Sequence, residues 1–310
     1  MTTASAPGKI ILCGEHAVVY GRPALAVPVT QVQATAVVEA ASSGIWIRAP
    51  QIGLEAEMTD LASHHPLAAL VRSVLATLAV SAPPPLRIQI ESSIPVASGL
   101  GSGAAVSVAV IRALAAFLGQ PLPDETVNAL AYEVEKLHHG TPSGIDNTVV
   151  TYAQPVCFVK GQAVERLRVG APFTLVIGDS GIPAPTRDSV AAVRQLWEAD
   201  PGRWEQVFDR IGQLVQQARR AIEDGDIPAL GPLLDENHTL LQMLTVSSAG
   251  LDRLVNAARA AGAWGAKLSG GGRGGNMLAL VPPSLVNTVC EALQHAGARR
   301  VLVTSVTPPV

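Results

Sequence analysis

Aromatic residues are scarce in this chain, at 4% of 310 residues, and charged residues reach only 15%. A core must therefore be built mainly from Ala, Val, Leu and Ile, which the 48% hydrophobic content supplies. That balance excludes a disordered chain. Net charge is small as well: the formal value of −3 gives no basic footprint for nucleic acid. Cysteine occurs three times, as Cys13, Cys157 and Cys290, an odd number at wide spacing with no C-x-x-C metal or redox pair. Free thiols in a reducing cytoplasm fit that usage. The opening MTTASAPGKI lacks the charged start and long apolar run of a signal peptide. No stretch reaches the roughly 18 uncharged apolar residues of a membrane span; the longest candidates are broken by Arg72 and Arg112.

What is present is a mixed pattern of strands and helices, an α+β chain long enough for two packed lobes. Strands are expected at 8–13, 24–38 and 45–48, and a helix over 64–80 that Pro83, Pro84 and Pro85 stop. LRIQI at 86–90 alternates like a strand with one buried face, and a strongly apolar helix follows over 104–118. Asp124 can cap a helix running from 125 to about 139. The pattern resets around 155–172, and a fresh strand is expected at 173–179. Helices follow at 186–198, 202–223, 226–244 and 249–261. Strands at 264–269, 277–281 and 299–304, with a helix at 283–296, complete the chain. The expected domains are 1–165 and 166–310.

Four segments carry chemistry. IPVASGLGSGAA at 94–105 is a glycine turn between a strand and a helix. Small residues let backbone N–H groups approach an anion, and the helix N-terminus adds roughly half a positive charge. It is neither G-x-x-x-x-G-K-[ST] nor G-x-G-x-x-G, and the residues alone equally describe a tight turn packed with small side chains. KLSGGGRGG at 267–275, with five Gly in nine residues, is either a second anion-facing loop or a flexible hairpin. EKLHHGTPSGIDN at 135–147 carries two carboxylates, Glu135 and Asp146, one able to bind a cation and the other to orient or deprotonate a hydroxyl. Plain surface charge is the other reading. Glu135, His138 and His139 lack a further ligand pair at transition-metal spacing. APGKIILCGEHAVVYG at 6–21 puts Lys9 at the head of an apolar strand, with Glu15 and His16 on the following turn. Such a lysine is either a surface residue or one aimed at transferring charge.

In this order the segments resemble the GHMP kinases, and the resemblance covers nearly the whole chain. PGKIILCGEHAVVYG is similar to the first family motif in the version of the mevalonate kinase branch. The loop at 95–105 is similar to the second motif and KLSGGGRGG to the third. Galactokinases read roughly G-E-H-T-D-Y-N-G where this chain has GEHAVVYG, and phosphomevalonate kinases usually carry Tyr at the place of His16. The resemblance implies a two-lobed fold, with an N-terminal lobe like the ribosomal-protein-type α+β domain and a ferredoxin-like C-terminal lobe. It implies ATP-dependent phosphorylation of the 5-hydroxyl of mevalonate, with Mg2+ as cofactor and only ATP and mevalonate as small-molecule partners. Neither nucleic acid nor membrane is involved, and a homodimer is compatible with it.

Position by position, Asp146 matches the catalytic aspartate and Lys9 the lysine that contacts it and the substrate hydroxyl. Glu135 matches the magnesium-binding glutamate, with Ser102 a second candidate ligand. Glu15 and His16 match the mevalonate-contacting pair, and Thr186 the threonine that braces the site. Pro95, Ser98, Gly99, Leu100, Gly101, Ser102, Gly103 and Ala104 match the loop around the triphosphate, and Gly270, Gly271 and Gly272 the loop that closes the cleft. The chain departs from the family at two places. Gly103 stands at the second Ser of G-L-G-S-S-A-A. In the third motif Gly271 replaces Ala and Arg273 replaces Gly, and a guanidinium there suits bidentate contact to phosphate or carboxylate. The alternatives are another kinase of the superfamily, such as a phosphomevalonate kinase, or a sensor that binds nucleotide without turnover.

Overall fold

A computed structural model describes residues 1–62, 64–95, 99–139, 143–183 and 185–308, the side chains of His138 and His139 excepted. Ser98 and residues 140–142 lie outside the described residues. Eleven strands and nine α-helices are present among them: β1 (Thr2–Cys13), β2 (Ala24–Ala40), β3 (Ile45–Ala49), β4 (Leu54–Glu57), α1 (Pro66–Thr77), β5 (Leu86–Ser92), α2 (Ser102–Phe117), α3 (Asp124–His139), α4 (Ile145–Tyr152), β6 (Val156–Phe158), β7 (Glu165–Arg166), β8 (Phe173–Asp179), α5 (Thr186–Ala199), α6 (Pro201–Asp224), α7 (Ile227–Met243), α8 (Ala249–Ala260), β9 (Gly265–Ser269), β10 (Asn276–Val281), α9 (Val286–His295) and β11 (Arg300–Val306).

The chain divides into two compact units that are not consecutive in sequence. The first comprises Met1–Gly8, Val32–Val96 and Gly101–Ala153; the second comprises Lys9–Gln31, Ala97–Leu100 and Gln154–Val310. β1 and β2 each contribute residues to both units.

In the first unit, β4, β3, β5 and the later half of β2 form a sheet in that order. β3 and β5 run parallel, and the other neighbouring pairs are antiparallel. Leu86, Ile88 and Ile90 alternate inward along β5, as its period-two pattern requires. Helix α2 is central, packed against β5 and against α1, α3 and α4. Its sequence SGAAVSVAVIRALAAF is apolar nearly all round, and ten of its sixteen residues are buried. A helix with that composition belongs inside a fold. Asp124 is the first residue of α3 and takes a hydrogen bond from Arg112 Nη2 at 2.7 Å, while Arg112 Nη2 also donates to the Thr151 carbonyl at 2.6 Å.

In the second unit, Ala24–Ala26 of β2 pairs with β6, which pairs with β7. The separate four-stranded sheet has the order β11-β8-β10-β9 and is antiparallel throughout. Helices α8 and α9 pack on this sheet and α7 packs along β9. Helix α6 buries Trp204, Val207, Phe208, Ile211, Leu214, Val215, Ala218 and Ile222, the spacing of one helical face. Phe208 is fully buried and stacks on Tyr20 with ring centroids 4.3 Å apart. Phe208→Ala should cost about 3–5 kcal/mol, since the few aromatics present anchor a core otherwise made of aliphatic side chains.

Several elements differ from the sequence pattern. β1 begins six residues earlier than expected, and β4, α4, β6 and β7 were not anticipated. All three cysteines are free, and burial pushes the Cys13, Cys157 and Cys290 thiols up. Among the described residues no helix is long and apolar enough to cross a membrane.

Candidate active site

The first unit holds the two candidate carboxylates. Asp146 is the second residue of α4, half-buried, and an anion is favoured in the first turn of a helix. Gly144 precedes it with φ 93°, and Thr148 Oγ1 donates to the Gly144 carbonyl at 2.8 Å, which fixes the start of the helix. Asn147 Nδ2 donates to Asn128 Oδ1 at 2.6 Å and ties α4 to α3. Glu135, near the end of α3, is buried, and it lies at the first turn of α2. A Cβ placed on Gly103 would sit 3.2 Å from Glu135 Oε1. The missing side chain of Gly103 therefore lets the helix backbone lie close to a carboxylate oxygen. Among the described residues no cluster of three or more His, Cys, Asp or Glu could hold a metal.

The second unit holds the candidate acceptor-binding residues. Gly14 turns the chain at the end of β1 with φ 103°, and a Cβ there would lie 2.5 Å from Ala24 Cα, so only glycine fits. The turn carries Glu15 and His16, both buried, His16 itself in the left-handed region at φ 61°. His16 Nε2 lies 3.2 Å from the Gly271 carbonyl oxygen. Burial pulls its pKa down to about 4, against the hydrogen bond to Gly271, with Lys267 and Arg273 adding to the fall. The ring is neutral at pH 7.

Glu15 Oε1 forms an ion pair with Lys267 Nζ. Lys267 is fully buried and also donates to the Leu268 carbonyl at 2.6 Å. Glu15 Oε2 is buried with no hydrogen-bond partner among the described residues. Sequence reasoning passed over Lys267, although a lysine inside the apolar stretch AWGAKL is a signal in itself, because a buried ammonium demands a partner.

KLSGGGRGG is the hairpin loop between β9 and β10, which pair Ser269 with Asn276. A Cβ on Gly271 would lie 3.1 Å from Thr186 Cα and 3.2 Å from Thr186 Oγ1, so Thr186, at the head of α5, packs on the loop at the position where the family has Ala. Gly272 is pressed against the Val246 carbonyl, 2.0 Å from where its Cβ would be. Arg273 N–H donates to that same carbonyl at 2.7 Å, and Gly275 N–H donates to the Ile182 carbonyl at 2.9 Å. Arg273 is exposed, at φ 62°, with Nε 3.4 Å from the Thr245 carbonyl. Behind the loop, His238 Nδ1 accepts from Leu268 N–H at 3.3 Å, so Nε2 carries the proton and lies 3.2 Å from Asp252 Oδ1. Burial and Arg259 lower the His238 pKa to about 4, which makes this contact a neutral N–H on a carboxylate.

Lys9, on β1, is buried, and its N–H donates to the Leu100 carbonyl at 3.0 Å, joining it to the first glycine loop within the second unit. Gly99 and Gly101 have φ 78° and 73°, and Gly101 caps α2. Pro95 precedes the loop and is half-buried, Ser102 is half-buried, and Ala104 is buried. The structure thus brings Glu15, His16, Thr186 and Gly271 together in the second unit, and Glu135 and Gly103 together in the first.

Residues 68–154 match the model for the GHMP kinases N terminal domain, and residues 218–299 match that for GHMP kinases C terminal. The mevalonate kinase of Pyrococcus furiosus is 36% identical, over 95% of this chain and 93% of that protein. The mevalonate kinase of Thermococcus sibiricus is 38% identical over the same shares. The crystal structure of L. major mevalonate kinase in complex with R-mevalonate matches with a TM-score of 0.86 and 28% identity, over 100% of this chain and 97% of that one. The chain belongs to the mevalonate kinase family of the GHMP kinases.

Proposed function

We propose that this chain transfers the γ-phosphoryl group of ATP to the 5-hydroxyl of mevalonate, in the cytoplasm, giving ADP and 5-phosphomevalonate. Near full-length similarity to proteins named mevalonate kinase supports the reading. The observation that carries it is the buried Glu15–His16 turn beside Gly271, with His16 at the place where phosphomevalonate kinases usually carry Tyr.

Phosphoryl transfer needs little covalent help from protein; positioning and charge stabilisation dominate. Asp146 takes the proton of the 5-hydroxyl as its oxygen bonds to the γ-phosphorus and the bond from that phosphorus to the β–γ bridging oxygen breaks. Lys9 lowers the energy of the developing negative charge. The loop residues Pro95, Ser98, Gly99, Leu100, Gly101, Ser102, Gly103 and Ala104 hold the triphosphate, and Arg273 adds a cation. Glu15, His16, Thr186, Gly270 and Gly271 hold mevalonate. His16 donates from Nε2 to Gly271, which leaves Nδ1 as an acceptor for a substrate hydroxyl.

The buried Glu135 carboxylate at the first turn of α2 fits magnesium, which needs oxygen ligands and keeps several waters. Glu135 would be its direct protein ligand, with Ser102 the second candidate. When bound, magnesium neutralises charge on the phosphates.

The test is product identification: purified protein with ATP, magnesium and mevalonate should yield ADP and 5-phosphomevalonate, read by phosphorus NMR. Preferential transfer to galactose, homoserine or phosphomevalonate overturns the assignment.

A further inference from the structure

We propose that Lys267 is a positioning residue for the acceptor alcohol: by holding Glu15 through Oε1, it presents Oε2 of the same carboxylate as a fixed acceptor for an uncharged hydroxyl donor. The inference rests on the reading of Glu15 as an acceptor-binding residue. Three observations lead to it. First, the ion pair is fully enclosed, with the Lys267 side chain 0% and the Glu15 side chain 1% exposed. Second, only one carboxylate oxygen is used. Oε2 is buried without a hydrogen-bond partner among the described residues, and buried acceptors in folded proteins are ordinarily satisfied. Third, the lysine cannot wander. Its Nζ also donates to the Leu268 carbonyl at 2.6 Å, and its strand is fastened at the two residues that follow it. Ser269 Oγ donates to the Ile11 carbonyl of β1 at 2.9 Å, and Leu268 N–H donates to His238 Nδ1 at 3.3 Å.

Charge then decides what Oε2 accepts. The Glu15 carboxylate is already matched by one ammonium group, so a second cation would leave the enclosed site with excess charge. An acceptor's own carboxylate would be repelled. A neutral hydroxyl supplies a donor without upsetting the balance. The His16 ring next along the chain is neutral too and leaves Nδ1 as an acceptor. Two acceptors from consecutive residues suit a polyol better than a cationic or strongly anionic group. Lys267 acts through Glu15 and is given no contact with substrate.

The experiment compares wild type, Lys267→Met, Glu15→Gln and the double variant by steady-state kinetics, with thermal midpoints recorded alongside. Wild-type turnover of mevalonate comes first; its absence sinks the functional reading and this inference with it. With turnover established, Lys267→Met should raise KM for mevalonate at least tenfold and leave KM for ATP within about twofold. The double variant should be no worse for mevalonate than Glu15→Gln alone. A mevalonate KM within twofold of wild type in Lys267→Met, whatever its thermal midpoint, overturns the proposal. So does an additive loss in the double variant, which would mean direct contact with substrate. If Lys267→Met does not fold, Lys267→Arg decides. It keeps the charge but cannot place one nitrogen where Nζ sits, so mevalonate KM should rise at least threefold at unchanged ATP KM. Wild-type constants in Lys267→Arg overturn the proposal.

Discussion

His16 and Gly271 are joined across 255 residues of sequence by a hydrogen bond of 3.2 Å. A carbonyl oxygen only accepts, so His16 Nε2 must carry the proton, and the neutral tautomer is fixed by the glycine loop itself. One backbone carbonyl thereby assigns the chemistry of a side chain at the other end of the chain.

That neutrality has a pH consequence. The folded-state pKa values of His16 and His238, each about 4, lie below the ordinary histidine value of 6.5. Between those limits the unfolded chain binds more protons than the native one. The stability from keeping each ring neutral is therefore fully present above 6.5 and is lost as pH falls through 4, at up to about 1.4 kcal/mol per pH unit for each histidine. Denaturant titrations from pH 7 to 4 should show this decline, and His238→Gln should flatten it by close to one proton. An unchanged slope in that variant would mean that His238 is not held neutral.

Asp146→Asn keeps the shape of the side chain and removes its charge. We expect kcat to fall by at least about a hundredfold, the usual reach of general-base catalysis, with ATP binding largely kept. Lys9→Met should also cut kcat heavily. Near-normal turnover in Asp146→Asn would remove the base role from Asp146.

Gly103→Ser returns the family residue beside Glu135. Its Cβ would stand 3.2 Å from Glu135 Oε1, which needs a shift of only a few tenths of an ångström in a flexible carboxylate. Activity should survive, and the magnesium concentration for half-maximal rate should drop. Glu135→Gln should nearly abolish activity. If Gly103→Ser leaves the magnesium requirement unchanged while Ser102→Ala raises it sharply, Ser102 is the second ligand instead.

Arg273→Gly tests the exposed guanidinium. At φ 62° an arginine is strained by about 1–2 kcal/mol relative to glycine, while glycine gives the unfolded chain about 0.4–1 kcal/mol of extra freedom. The two nearly offset, so kinetics can be read without a large stability change. KM for ATP should rise several-fold, as loss of one charge-assisted contact would produce. Unchanged constants for both substrates would leave Arg273 without a substrate role.

The fold was legible wherever periodicity ran long. α2, α3, α6 and α8 and the strands β5, β8 and β10 lie within one or two residues of their sequence patterns, because each buries a continuous face. The misses are short or lie next to breakers. α4 spans only Ile145–Tyr152 and directly follows the Gly- and Pro-bearing sequence HGTPSG, so it read as loop. β4 has four residues and no fully buried face. β1 starts in TTASAPG, whose Pro7 and Gly8 argue against a strand, yet pairing with β2 supplies what propensity does not. In the site, the motif segments stood out through their order along the chain, which resembles that of the GHMP kinases, since each alone equally described a tight turn or plain surface charge. Lys267 did not, because its role depends on meeting Glu15, and no local pattern encodes a partner 252 residues away.

The hairpin loop after β9 has already bonded part of its backbone to its own fold, through Arg273 and Gly275. Those two amides are spent and cannot swing toward a phosphate. In this loop glycine serves tight assembly against Val246 and Thr186, and an anion is left to the loop's remaining amides and to the Arg273 side chain. A lineage that drifted from glycine to arginine at position 273 would thus have gained a charge without surrendering a donor.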